Sequence, residues 1–247
     1  METKNDNQDV RPEGVEMKSP IIAWFDNFFY HYKWHTIVCA FLIVVILICS
    51  FQMCNRTSYD VYIMYAGERI ILKTSATSGT DPEYVKLSSA LMQYAEDFDG
   101  NGEKSINLLN LYMPTKADIE AEDPEKQNVL ATLAQTDSET YNFNMVASHE
   151  FYILFLSKDL FLNECTSNNE LVPFNKISSY TNGDATAYTF VNDYGIELGS
   201  TELYKKGGFN LLPADTVICM RAPLLNSKTN QNYERSEAML KALLKQG

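Results

Sequence analysis

The residues best suited to chemistry lie in one short run, Asp97-Phe98-Asp99-Gly100-Asn101-Gly102-Glu103, with Ser105 two places on. Side-chain oxygens at the first, third and fifth places, with glycine at the sixth, form the opening half of a calcium loop. The twelfth place of such a loop needs a bidentate carboxylate, and here it holds Leu108. A calcium site built on Asp97, Asp99, Asn101 and Glu103 must therefore take its last carboxylate from elsewhere in the fold. The same residues also suit a plain turn from helix to strand, because Gly, Asn and Asp tolerate positive φ and bond their own backbone. Both readings stand at this stage, and calcium is the only cofactor the sequence suggests.

Other chemistries find less support. His149-Glu150 contains the one histidine away from the apolar N-terminal region, and a single histidine builds neither a zinc site nor a triad. No serine sits in a nucleophile-elbow context and no Gly-rich loop runs into Lys-Ser/Thr, so the sequence offers no catalytic residue and no phosphate cradle. Hydrolysis by a carboxylate pair remains open, since an acidic chain contains many pairs, none singled out by spacing. The formal net charge of -12 and pI near 4.7 oppose nucleic acid and anionic lipid surfaces. The acidity belongs mainly to the chain from Arg56 onward, which has 26 acidic and 16 basic residues.

Five cysteines are present. Cys39, Cys49 and Cys54 fall in or beside the apolar run, leaving Cys165 and Cys219 for the remainder. A bond between those two would close a loop of about 54 residues and contribute on the order of 4 kcal/mol by chain entropy. Cys219 falls in an expected core strand and Cys165 in an expected loop, so two unpaired thiols are the simpler expectation.

The elements that must position these residues begin with a membrane anchor. Between Lys33 and Arg56 there is no charge, and Ile37 to Phe51 reads IVCAFLIVVILICSF. Roughly 22 residues make a helix of about 33 Å, close to the hydrocarbon thickness of a bilayer. We expect a disordered tail over 1–19, an aromatic amphipathic segment over 20–33, a transmembrane helix over 34–55 and a globular domain over 57–247. Trp24, Tyr30, Lys33 and Trp34 would hold the headgroup level, with Ile37, Leu42, Val45 and Leu47 in the hydrocarbon. The long head and the absence of small residues before Cys54 argue for an uncleaved signal anchor. The expected topology is a cytoplasmic N-terminus and an extracytoplasmic domain.

The run Tyr30-His31-Tyr32-Lys33-Trp34-His35-Thr36-Ile37 resembles the YYKWHTI-like entry to the single span of a group of membrane-anchored proteins of Gram-positive bacteria. The match covers about ten residues and the anchor. It implies an anchored protein with its C-terminal part outside the cell and specifies no substrate.

Within the domain, alternation predicts strands over 59–65 and 69–73, joined as a hairpin at Ala66-Gly67-Glu68. Asp81-Pro82-Glu83 opens a helix that buries Leu87, Leu91, Tyr94, Ala95 and Phe98. A strand follows over 105–112, then a solvated connection over 116–126. Asp123-Pro124-Glu125 opens a helix to about Gln135, and a strand-like segment covers 143–147. The most apolar run, 151–157, is the expected central strand. A short helix over 158–163, an edge at 171–174, a strand near 188–192, a buried strand over 216–221 and a terminal helix over 233–245 complete an α/β domain with a mixed sheet and flanking helices.

The sequences YILFLSKDLF (152–161), LVPF (171–174) and TVICMRAP (216–223) together are similar to one lobe of the extracellular solute-binding proteins. In that family a small molecule is held between two lobes joined by crossing strands, and about 190 residues is short for both. The resemblance implies a tethered binding module for a small molecule, peptide or glycan. The alternative is a protein-interaction or envelope-assembly subunit of a membrane complex, and a surface hydrolase with paired carboxylates is a third reading.

Overall fold

The computed structural model describes residues 20–54, 58–71, 81–148, 150–167, 171–174, 189–223 and 231–245. These fall into two compact units divided between Ser58 and Tyr59.

The first unit contains one helix, α1 (Pro20–Cys54), interrupted by non-helical dihedrals at Tyr32 (φ -117°, ψ 15°). Before the break, Trp24 stacks on Phe28 at 5.5 Å, and Phe28 meets Tyr32 at 5.3 Å between ring centroids. Four-residue spacing places these rings one above another on a single helix face. Beyond the break, Thr36 Oγ1 donates to the Tyr32 carbonyl at 3.0 Å. The stretch Tyr32–Phe51 is long and apolar enough to cross a membrane. The expected residues Trp24, Tyr30, Lys33, Trp34, Ile37, Leu42, Val45 and Leu47 all lie on α1 with exposed side chains.

The second unit is a mixed α/β domain. Among the described residues its six strands are β1 (Val61–Gly67), β2 (Ile106–Tyr112), β3 (Ile153–Leu156), β4 (Phe190–Asn192), β5 (Gly195–Glu197) and β6 (Val217–Met220), in the order β2-β1-β3-β6-β5-β4. β1 is parallel to both β2 and β3, whereas β3–β6, β6–β5 and β5–β4 are antiparallel. The helices are α2 (Pro82–Met92), α3 (Lys116–Glu120), α4 (Pro124–Phe143), α5 (Lys158–Ser167), α6 (Glu202–Lys205) and α7 (Gln231–Lys245).

Residue alternation divides the core between two faces. Val61, Ile63 and Tyr65 of β1, with Ile153 and Phe155 of β3, face Leu87 and Leu91 of α2 and Met239, Leu240 and Leu243 of α7. Met64 and Ala66 of β1, with Leu154 and Leu156 of β3, face Tyr141 of α4 and Phe161 of α5. Strands covered on both sides become continuous apolar runs, as in Tyr62 to Ala66 and Ile153 to Leu156. The chain reaches β2 through α2 on one face and returns past β1 to β3 through α4 on the other. Parallel crossovers keep their handedness in this way when the second turns back.

Several expected elements differ. There is no hairpin after β1: both neighbours of β1 are parallel, residues 69–71 form no strand, and 72–73 lie outside the described residues. The 116–126 connection contains α3, closed by a capping box in which Thr115 and Asp118 each bond the other's backbone N–H. The helix begun at Asp123 runs past Gln135 to Phe143 and continues as a π-turn over Asn144–Ser148, so 143–147 is not a strand. Tyr141 and Met145, four residues apart, are both buried, which is a helical period. The helix at 158 extends to Ser167 rather than ending at 163. β5 has no counterpart among the expected strands.

Candidate binding crevice and acidic loop

Asp60 precedes β1, and its side chain is fully buried. Its Oδ1 accepts from the N–H of Phe98 (2.9 Å) and Asp99 (3.2 Å), and its Oδ2 from Ser105 N–H (2.8 Å) and Oγ (2.9 Å). Burial pushes this carboxyl upward, but the bonds from Ser105, Phe98 and Asp99 outweigh it and hold Asp60 below the usual carboxylate range. The buried charge thus fixes the loop between α2 and β2 to the start of β1.

The loop is closed by its own amides. Asp97 accepts from Gly100 N–H and Gly102 N–H, both at 2.8 Å. Asp99 accepts from Asn101 N–H at 3.0 Å, and Asn101 Oδ1 from Glu103 N–H at 2.7 Å. Gly100 (φ 73°) and Gly102 (φ 88°) take the left-handed conformations such a turn needs. Asp97, Asp99, Asn101 and Glu103 are exposed, and Leu108, at the twelfth place, is buried in the core and supplies no ligand. One carboxylate oxygen each from Asp60, Asp97 and Asp99 lies within 4.8 Å of the others. The missing carboxylate of a calcium loop would therefore be Asp60, whose oxygens already accept four protein hydrogen bonds.

A second site lies at the carboxyl ends of the parallel strands. After β1 the chain leads to α2 on one face, and after β3 it leads to α5 on the other. Where neighbouring strands send their connections to opposite faces, a crevice opens beyond the strand ends, and ligands of open α/β sheets bind in such places. Here Ser157 N–H donates to the Ala66 carbonyl at 2.9 Å and Met113 N–H to the Gly67 carbonyl at 2.7 Å, tying the three strand ends together. A cavity of about 130 Å³ lies among them. Its wall takes Tyr65 and Glu68 from the end of β1, Met113, Thr115 and Asp118 from beyond β2, Ser157, Lys158 and Asp159 from the start of α5, and Pro213, Asp215 and Thr216 from before β6. A wider hollow of about 610 Å³ shares Glu68, Asp118 and Pro213 with it.

The crevice is electrostatically one-sided. Four carboxylates, Glu68, Asp118, Asp159 and Asp215, line it against the single cation Lys158. Burial, then the charges of Asp118 and Asp215, raise the Glu68 carboxyl above its ordinary value. Tyr65 is pushed up to about 12, mainly by burial, and its hydroxyl oxygen accepts from Arg69 N–H at 3.2 Å. Thr216 is 1% exposed, and its Oγ1 has no hydrogen-bond partner among the described residues. Asp118 is only partly free, since its Oδ2 accepts from Thr115 N–H and Oγ1, both at 2.7 Å.

The expected site residues and the observed crevice do not coincide. Asp97, Asp99 and Asn101 gather into one loop as the spacing implied, while the crevice collects Glu68, Asp118, Asp215 and Thr216 from three separate segments. Only the strand order brings these together, and no local motif marks them. His149 lies outside the described residues. Cys165 and Cys219 are both free thiols: Cys219 is buried in the core, Cys165 packs against the same cluster, and Asn192 Nδ2 donates to Cys165 Sγ at 3.3 Å. Comparison of the chain with protein-family models, curated proteins and solved structures finds no match.

Proposed function

We propose that the chain is a membrane-anchored extracytoplasmic binding module, its tail in the cytoplasm and its α/β domain presenting the crevice at the ends of β1, β2 and β3 to a small ligand. One observation carries this reading. A cavity sits where a doubly wound sheet opens its connections to opposite faces, lined by convergent polar groups with one perturbed carboxyl among them. The helix with the apolar stretch Tyr32–Phe51 supports the anchor. Among the described residues the domain carries one such sheet, so the ligand would rest on a single lobe rather than between two.

The test is a thermal-shift panel on the full chain in detergent micelles, with sugars, amino acids, peptides, amines and calcium as probes. Ligands that bind only the folded state raise its melting temperature saturably. Silence across the panel would remove the small-molecule reading and leave the protein-interaction or envelope-assembly role.

A second reading is favoured by Glu68 alone. A carboxyl raised above its ordinary value by burial, and then by neighbouring carboxylates, is one feature of a general acid paired with a base, as a surface hydrolase requires. Turnover of glycoside or peptide substrates that Glu68→Gln abolishes while binding persists would establish it. Binding without turnover would dismiss it.

A further inference from the structure

We propose that the exposed end of α4, formed by Phe143, Val146 and Ala147, rests against a lipid surface, the neutral headgroup layer of the bilayer that holds the anchor. The inference goes beyond the crevice and rests on the anchor proposed above.

The patch stands out among the described residues of the domain. Val146 is 74% exposed, Val129 69% and Phe143 63%. A single exposed apolar side chain is normal and needs no explanation. Phe143 and Val146, however, stand one helical turn apart, Ala147 beside them is exposed as well, and no residue from Thr140 to Ser148 is charged. The same stretch buries Tyr141 and Met145 in the core, so its outward positions could be polar at no cost to the fold.

Position indicates what meets the patch. β1, β2 and β3 are parallel, so their first residues share one end of the sheet. Arg221 N–H donates to the Tyr152 carbonyl at 2.9 Å, and its guanidinium donates to the carbonyls of Asn144 (3.2 Å) and Met145, which ties the end of α4 to that end of the sheet. There Phe151 meets Tyr62, and Tyr62 meets Tyr59, each at 5.8 Å between ring centroids. Tyr59 is the first residue of the second unit, and Cys54 is the last of α1. The five residue steps between them span at most about 18 Å when fully extended. With α1 in the bilayer, covalent length alone keeps this end of the domain close to the headgroups.

Size favours lipid over a protein partner. Two or three side chains fall far short of the roughly 1,200 Å² that a specific protein interface buries. A surface kept within reach by a tether needs no such area, because the tether replaces free association with a high effective concentration. Charge selects the lipid. Asp97, Asp99 and Glu103 are exposed in the loop leading into β2, at the same end of the sheet but on the side of α2, and Glu139 is exposed one turn back along α4. These acids repel an anionic surface and leave neutral headgroups as the fit.

The experiment places the full chain in phosphatidylcholine vesicles with brominated acyl chains and compares tryptophan quenching in Val146→Trp and Val129→Trp. The two positions are similarly exposed on one helix, so both variants should fold. Trp24 and Trp34 provide a constant background and report on the anchor itself. The tryptophan introduced at 146 is expected to lose about half its emission and shift to shorter wavelength, while that introduced at 129 stays unquenched. Adding Phe143→Asp to Val146→Trp should remove most of this quenching. Equal quenching at the two positions, or none at 146, would overturn the proposal. Stronger quenching at 146 in brominated phosphatidylglycerol vesicles would overturn the assignment to a neutral surface. A tryptophan at 146 that bromine misses, but that is shielded from aqueous iodide as protein density rises, would give the patch to a second copy of the chain. Unquenched Trp24 and Trp34 would overturn the anchor and this inference with it, whereas their quenching without quenching at 146 would overturn this inference alone.

Discussion

Replacing Asp60 with alanine removes the acceptor for three backbone N–H groups and one hydroxyl at once. A hydrogen bond to a charged group is worth about 1.5–3 kcal/mol, and an orphaned buried donor costs about 1–3 kcal/mol. The loop is partly exposed, so water recovers some of these donors, notably Asp99 N–H, whose bond is the longest at 3.2 Å. We therefore expect a net loss of about 3–4 kcal/mol, a large share of the roughly 5–15 kcal/mol that holds a domain together. Asp60→Asn should lose less, about 2–3 kcal/mol, because it keeps one oxygen but turns an amide donor toward an N–H. Both tryptophans lie in the first unit, so urea unfolding of the second is best followed by far-UV circular dichroism of the full chain in micelles.

The pH dependence carries a definite sign. The native carboxyl titrates below its unfolded counterpart, so its contribution is fully present above the unfolded value of about 3.9 and fades as the pH falls through the lower native one. The gap between wild type and Asp60→Ala should thus be constant near neutrality and close in acid. A gap under 1 kcal/mol at pH 7 with an unchanged denaturant slope would refute the anchoring role. A gap that widened in acid would refute the charge argument.

The remaining expectations concern the loop, the crevice, the close packing and the topology. Asp97→Ala leaves Gly100 and Gly102 N–H without their acceptor and should cost about 1–2 kcal/mol in the same assay. The loop's internal bonds suit a turn, so millimolar calcium should leave the wild-type melting temperature unmoved, and a rise abolished by Asp97→Asn would make it a metal site with Asp60 as the further ligand. Glu68→Gln should raise the melting temperature slightly at pH 7 and not at pH 3: burial, and then the charges of Asp118 and Asp215, lift the native carboxyl above the unfolded one, so the cost of ionising it builds as the pH rises past the unfolded value. A Cβ at Gly195 would fall 2.4 Å from both Phe161 Cζ and Val217 Cγ1, so Gly195→Ala should cost about 1–3 kcal/mol by overpacking, and unchanged stability would show that Phe161 yields freely. Protease added to intact cells should digest the chain beyond Ser58 and spare the tail, and the reverse pattern would invert the proposed orientation.

Legibility in the sequence followed the range of the interactions. β3 and β6 stand close to their expected bounds because strands covered on both faces are unmistakably apolar, α2 because its proline, cap and periodicity are local, and α7 because its periodicity is. The hairpin failed for a non-local reason. Gly67 and Glu68 look like a turn, but the partners of β1 begin at Ile106 and Ile153, far along the chain. The C-terminal part of α4 misled because Phe143 and Met145 look like strand residues, whereas Met145 pairs with Tyr141 across a helical turn. β5 has three residues, one of them glycine, too few for any period to show. In the Asp97 loop the turn chemistry was readable, but Asp60 was not: in an alternating run it passes for a solvent-facing residue, and only the fold shows it buried beneath the loop. The crevice was invisible for the same reason, since each of its acids is an ordinary surface residue until the strand order assembles them.

The position of β1 also bears on how the protein is made. It is the first strand of the domain to be synthesised, yet it ends up between two parallel partners whose last residues, Tyr112 and Leu156, follow long after it. Until about 90 further residues have been produced, Val61 to Gly67 remains an apolar segment with at least one edge unpaired. Such segments invite association with other chains. Parallel pairing over long separations is also slow, because the loop must close before any contact repays it. Biogenesis is therefore the stage at which this domain is most exposed to aggregation, and substitutions that delay α4, which carries the chain back across β1, should lower yield even where the finished fold tolerates them.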